Sequence, residues 1–162
     1  MCAIEQIYHD PNNNAFDAED ASWLGGEELL EDICGCLKMG RSNFMIVLKI
    51  DEPSPAMEVD DGELIGVIEV GSTDRRCSPV GGCIHWKHVG QGYGTEAFQT
   101  VFTHAFESLG HRELFLETKA TNLPFQAMMK RLGLTNLQRP GFQWMEYDTL
   151  EASVTYTFDQ AT

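Results

Sequence analysis

Three glycines at alternate positions, Gly90, Gly92 and Gly94, stand in the run His88-Val89-Gly90-Gln91-Gly92-Tyr93-Gly94-Thr95-Glu96-Ala97, directly ahead of an apolar stripe of helical period. Glycine opens backbone conformations closed to other residues, so successive amide N–H groups can converge on one anion at a helix N-terminus. A diphosphate fits that description. A dinucleotide-binding Gly-X-Gly-X-X-Gly turn would need its third glycine at position 95, where Thr95 stands, and usually follows a first parallel strand. No Gly-Lys-Ser/Thr follows, so the nucleoside-triphosphate loop is also a poor match. A purely structural glycine turn is the plain alternative.

Other residues near this run could move protons. His85 and His88 flank it, and an imidazole titrates near neutrality, so either could take a proton from an ammonium group, directly or through water. Glu69 and Glu117 are carboxylate candidates if their strands turn them toward the same cleft, and Tyr147 and Tyr156 could donate a phenolic proton. Each has a structural alternative: a half-buried histidine, a sheet-surface glutamate, a core or pocket-wall aromatic. The five cysteines, Cys2, Cys34, Cys36, Cys77 and Cys83, are odd in number and too sparse for a disulfide scaffold, so reduced thiols are expected. Cys34-Gly-Cys36 has no second pair or nearby histidine to complete a zinc site, and no metal is expected.

The elements that must position these residues follow from periodicity. Phe44 to Ile50 and Leu64 to Val70 are apolar runs of strand length, and Val80 to Trp86 is a third, so consecutive strands suggest an antiparallel meander. Asp51 to Gly62, acidic with two prolines, reads as a long hairpin loop, and Asp74 to Pro79 as a turn. The period then changes: Ala97, Phe98, Val101, Phe102, Ala105, Phe106 and Leu109 make a helical stripe ended by Gly110. Glu113 to Ala120 alternates as a strand. Thr121 or Asn122 can cap a following helix that carries Phe125, Met128, Met129 and Leu132 and stops at Gly133. Trp144 to Asp148 and Val154 to Phe158 suggest a terminal strand pair. Upstream, Trp23, Leu29, Leu30, Ile33 and Leu37 suggest a broken amphipathic helix over Ala18 to Lys38, interrupted at Gly25-Gly26. The expected fold is α+β, a three-layer arrangement around a mixed, mostly antiparallel sheet. Residues 1–17 are expected to be a loose segment or an edge strand, and residues 18–162 a single domain.

Composition bounds the partners. A chain of 162 residues with 43% apolar and 10% aromatic side chains has enough to build one ordinary core. Uncharged stretches such as Ala97 to Phe106 run about half the length a bilayer-spanning helix requires, so no membrane partner is expected. Formal charge is −14, and 15 acids against 3 bases lie at or before Glu63. Phosphates would meet repulsion there, which disfavours nucleic acid, while cationic partners are permitted. The first thirty residues hold no basic segment followed by an apolar block, so a cytoplasmic setting is expected.

Taken with Asn122-Leu123-Pro124 and Arg131-Leu132-Gly133-Leu134, His85 to Ala97 resembles the GNAT superfamily of acyl-CoA-dependent N-acyltransferases, over roughly Ala18 to Phe158. The nearest flavour is that of the ribosomal-protein-alanine N-acetyltransferase-like enzymes. The family's loop, Arg/Gln-X-X-Gly-X-Gly/Ala, reads here Val89-Gly90-Gln91-Gly92-Tyr93-Gly94, and its usual Thr-Glu-Ala continuation is Thr95-Glu96-Ala97. The resemblance implies that the strands ending near His85 and Ala120 are parallel neighbours that splay apart to admit acetyl-CoA. It assigns the amides of Val89, Gly90, Gln91, Gly92, Tyr93, Gly94 and Thr95 to the diphosphate, and the backbone of Cys83, Ile84 and His85 to the pantetheine arm. Asn122 is assigned to that arm's far end, and Lys130 or Arg131 to the adenosine phosphate.

The implied reaction is direct attack of a primary amine, on a small molecule or a protein N-terminus, on the thioester. A backbone N–H near Ile84 would polarise the carbonyl. The chain departs from the family at three places. Pro79 stands where a glutamate base is usual, Phe125 where a serine or tyrosine proton donor is usual, and Val89 opens the loop. Substitutes are then His85, Glu69, Glu117 and Tyr147. Two other functions fit these departures: a CoA-binding or regulatory module without turnover, and recruitment of the scaffold for other small-molecule chemistry. A homodimer is compatible with all three. The family also normally begins with a strand that is here lost, shortened into Ile4 to Tyr8, or supplied by a partner.

Overall fold

The computed structural model describes residues 3–13, 40–49, 62–71, 78–134 and 153–159. Apolar, β-branched stretches form β1 (Ser42–Lys49), β2 (Gly62–Val70) and β3 (Ser78–Ile84), joined antiparallel as Phe44 with Ile68 and Val67 with Cys83. The expected meander is present, with β3 beginning two residues early and ending before Trp86, which enters a 3-10 turn over Trp86–His88.

After the turn come α2 (Tyr93–Glu107), β4 (Glu113–Lys119), α3 (Leu123–Arg131) and β5 (Ser153–Asp159). The sheet order is β1-β2-β3-β4-β5: β3 and β4 run parallel, and β4 pairs antiparallel with β5, Leu116 facing Tyr156. This is the mixed, mostly antiparallel sheet expected, with helices on both sides.

Alternation along the strands decides the layers. Ile68, Val70, Val80, Leu114, Leu116, Tyr156 and Phe158 point to one face and form a single core with Phe98, Val101, Phe102 and Ala105 of α2 and Met129 of α3. Edge-to-face rings tie this layer together: Phe102 to Phe158 at 4.9 Å and Phe98 to Phe125 at 5.8 Å between centroids.

The opposite face carries α1 (Ala3–His9), whose Ile4 and Ile7 pack on Val67. The alternative of a strand over Ile4 to Tyr8 is therefore corrected: this segment is helical. Seven residues are too few for an independent helix, so its stability comes from docking; each buried isoleucine contributes about 1.5–3 kcal/mol. The features expected over Ala18 to Lys38, Asp51 to Asp61, Ser72 to Cys77 and Trp144 to Asp148 lie outside the described residues.

Candidate active site

The chain leaves β3 through the 3-10 turn, where Val89 N–H donates to Trp86 O at 3.3 Å and Gln91 Nε2 to Lys87 O at 3.1 Å. Gly90 then takes φ 82° and Gly92, the N-cap of α2, φ 96°. An added Cβ at either would meet nothing within 4 Å, so it is the sign of φ, not crowding, that calls for glycine. Gly94 is a glycine for the other reason: a Cβ there would lie 3.2 Å from Met128 Sδ and 3.4 Å from Ile84 Cγ1. No side chain caps α2, and Glu96 is the first residue whose amide finds a carbonyl, Gly92 O. Among the described residues the amides from Gly90 to Thr95 meet no acceptor, and they sit at the positive end of a fifteen-residue helix. The acceptor-free run begins at Gly90 and not at Val89, whose N–H is taken up by the turn.

Beside this loop the sheet opens. β3 and β4 are paired only at Ser78 with Leu114 and Pro79 with Phe115, and then run on to Ile84 and Lys119 without further pairing. The vertex is fastened by a buried contact of 2.6 Å between Ser78 Oγ and His111 Nδ1. Backbone direction along β3 follows from two bonds to β2, His85 N–H to Ile65 O at 2.7 Å and Gly71 N–H to Pro79 O at 2.8 Å. These mark 65/85 and 71/79 as hydrogen-bonded antiparallel pairs, so by alternation the N–H and C=O of Gly81 and Cys83 turn toward β2. Those of Gly82 and Ile84 turn into the opening. The edge facing the opening is thus made by Gly82 and Ile84, while the Cys83 backbone faces β2 and His85 N–H is bonded to Ile65 O.

On the α1 side of the sheet a row of residues crosses the wedge. Glu69 is the register partner of Gly81, and two steps beyond the Pro79/Phe115 pair Gly81 falls in step with Glu117. Gly81 is exposed, with nothing within 4 Å of its missing Cβ, so two carboxylate residues flank an open glycine. Glu69 Oε1 accepts from Arg41 Nη1 at 2.9 Å; both side chains are partly exposed, so this pair is worth at most about 1 kcal/mol.

A family model described as an acetyltransferase (GNAT) domain matches residues 6–135. The chain belongs to the GNAT acetyltransferase family. No curated protein is similar enough in sequence to count as a match. Among solved structures, a spermidine N-acetyltransferase from Vibrio cholerae in complex with CoA and spermine superposes with a TM-score of 0.74 at 14% identity, covering 98% of this chain and 88% of that one. A GNAT acetyltransferase from Bacillus anthracis gives 0.73 at 16%, covering 99% and 89%. An N-acetyltransferase from Staphylococcus aureus Mu50 gives 0.71 at 16%, covering 97% and 90%. At these identities the likeness is one of fold. The GNAT family uses acetyl-CoA, and the unpaired amides and the open strand edge of this chain suit a diphosphate and an extended amide-bearing arm.

The other residues singled out in this GNAT chain are differently placed. His85 Nδ1 accepts from Lys87 N–H at 3.3 Å and Nε2 lies 3.9 Å from Asp10 Oδ2, so the neutral ring carries its proton on Nε2, facing a carboxylate. Both contacts hold the ring in place. His88 Nε2 lies 3.3 Å from Glu63 Oε1. Asn122 caps α3, its Oδ1 accepting from Phe125 N–H and its Nδ2 donating to Thr118 Oγ1 at 2.9 Å. Lys130 and Arg131 are exposed in the last turn of α3. Tyr147 lies outside the described residues. Among the described residues no three His, Cys, Asp or Glu side chains are grouped to hold a metal ion.

Sequence reasoning missed one cluster. Trp86 donates its backbone N–H to Asn13 Oδ1 at 2.6 Å and its indole Nε1–H to Asp10 Oδ2 at 2.7 Å, tying the end of α1 to the turn before the glycine loop. The Asn12 amide on Oδ1 holds the Asp10 carboxyl below its usual range; burial works against this, and the Trp86 and His85 contacts add to it. These partners are more than seventy positions apart in the chain, and no local spacing announces them.

Proposed function

We propose that this protein is an acyl-CoA-dependent N-acyltransferase that moves an acetyl group from acetyl-CoA to a primary amine by direct attack on the thioester. The observation that carries the reading is the juxtaposition of acceptor-free amides, Gly90 to Thr95, with the unpaired edge of β3 at Gly82 and Ile84. The amides of Gly90, Gln91, Gly92, Tyr93, Gly94 and Thr95 hold the diphosphate, and the backbones of Gly82 and Ile84 pair with the pantetheine arm. One of those two N–H groups polarises the thioester carbonyl and stabilises the oxyanion. Asn122 keeps the wedge mouth in shape by capping α3, and Lys130 meets the adenosine phosphate.

The acceptor enters from the α1 side, over Gly81, between Glu69 and Glu117. Two carboxylates there favour a cationic amine and can pass its proton to water, in keeping with a chain of formal charge −14. The Vibrio cholerae neighbour is a spermidine N-acetyltransferase crystallised with spermine, which makes polyamines sensible members of an acceptor panel. A cytoplasmic location accords with this reading. Among the described residues no helix is long and apolar enough to cross a membrane.

The test is release of free CoA from acetyl-CoA across a panel of polyamines, small primary amines and peptides with free N-termini. An amine-dependent rate that falls about tenfold or more in the Glu69→Gln, Glu117→Gln double variant, with acetyl-CoA affinity kept, is expected. A binding or regulatory module is the second reading, favoured by Pro79 and Phe125 at the family's usual proton-transfer positions. It is the correct one if acetyl-CoA binds tightly and no amine accelerates thiol release.

A further inference from the structure

With Phe125 where the resemblance places a proton donor, the departing thiolate needs one from elsewhere. Phe125 is packed between Phe98 at 5.8 Å and Tyr156 at 6.2 Å, centroid to centroid. Tyr156 is the register partner of Leu116, the first residue of β4 on the α2/α3 face beyond the last β3–β4 pair. An arm that starts at the glycine loop after Ile84 and follows β3 backwards ends close to this vertex. Tyr156 therefore stands one strand over from the wedge, level with the point where the arm's reactive end must stop.

The side chain of Tyr156 is only 4% exposed, and its Oη has no hydrogen-bond partner among the described residues. Among the described residues Asn43 Nδ2 and Thr157 Oγ1 are the fully enclosed side-chain atoms without partners; Tyr156 Oη is not one of them, so the hydroxyl is not fully enclosed. A buried tyrosine normally finds a partner for its O–H, and one left without a partner at the level of the wedge vertex points to a ligand that supplies it.

We propose that Tyr156 donates the proton to the sulfur of the departing thiolate, taking the part that Phe125 cannot play; the proposal rests on the acyltransfer reading above. In the step, the amine lone pair forms the new C–N bond and the C–S electron pair passes to sulfur. The Tyr156 Oη proton moves to that sulfur, and the phenolate regains a proton from water. The attacking nitrogen loses its extra proton on the opposite, carboxylate-lined face. Burial raises the Tyr156 phenol above its ordinary value of 10.0, so the hydroxyl keeps its proton at neutral pH until sulfur claims it.

The test needs no acceptor: the thiol of CoA bound to the protein is titrated by the ultraviolet absorbance of its thiolate, in wild type and in Tyr156→Phe. A hydroxyl donating to the thiolate lowers that thiol's apparent pKa, and its removal raises it by about one to two pH units with CoA affinity little changed. The Phe125→Tyr, Tyr156→Phe double variant, which returns a hydroxyl from the adjoining position, recovers at least part of the shift. Equal thiol titration in wild type and Tyr156→Phe, both binding CoA, overturns the proton-donor role and leaves the acyltransfer reading standing. Failure of wild type to bind CoA overturns both.

Discussion

Gly90 and Gly92 differ from ordinary loop glycines in what their positive φ angles accomplish: they turn consecutive N–H groups outward at the start of a helix that no side chain caps. A β-branched residue at φ 96° costs on the order of 1–3 kcal/mol of strain or forces the loop to another shape. Gly92→Val is expected to weaken acetyl-CoA binding about ten- to a hundredfold by calorimetry, with an unchanged far-ultraviolet dichroism spectrum; equal affinity would remove the loop from the binding site. These glycines were legible in sequence because spacing alone carries their meaning. Tyr156 was legible as a phenol able to donate a proton, but not its place, which depends on standing opposite Leu116 and against Phe125, and register is a property of paired strands. His85 was legible as a titratable group, but its hydrogen bond from Lys87 N–H and its approach to the Asp10 carboxylate could not be read from the chain.

At the level of elements, the meander and the two strand-to-helix units were readable from hydrophobic period, since each buries a long apolar face. The seven-residue α1 was not, because so short a helix exists by docking Ile4 and Ile7 rather than by its own propensity. Its hold on the site is polar: Asp10 and Asn13 accept from both N–H groups of Trp86. The sign of the acid dependence is set by the lowered Asp10 pKa. A carboxyl depressed in the folded state stabilises the tether above its ordinary value of 3.8, and that contribution is lost as pH falls through the lower, folded value. Trp86 fluorescence, taken as the difference between wild type and Trp86→Phe, is therefore expected to change only below about pH 4, and Asp10→Asn to abolish the transition. A transition centred near neutrality in the same difference signal would place control of the tether elsewhere, in His85 or His88.

On the scale of the whole molecule, one sheet separates two tasks. The α2/α3 face holds the core, the phenol of Tyr156 and the approach from the glycine loop, while the α1 face carries Glu69, Gly81 and Glu117 in a row. Among the described residues β3 and β4 part after Pro79 and Phe115, and in the proposed reading a thioester seated there meets an amine on one side and a proton donor on the other. The parting itself was anticipated through family resemblance and not from residue pattern, because nothing in either strand's own sequence says where pairing with a distant neighbour stops. Backbone amide resonances followed by nuclear magnetic resonance during titration with acetyl-CoA test this arrangement most directly. The largest changes are predicted at Gly82, Ile84 and Gly90 to Thr95; shifts confined to other parts of the chain, or none at saturating ligand, would contradict it.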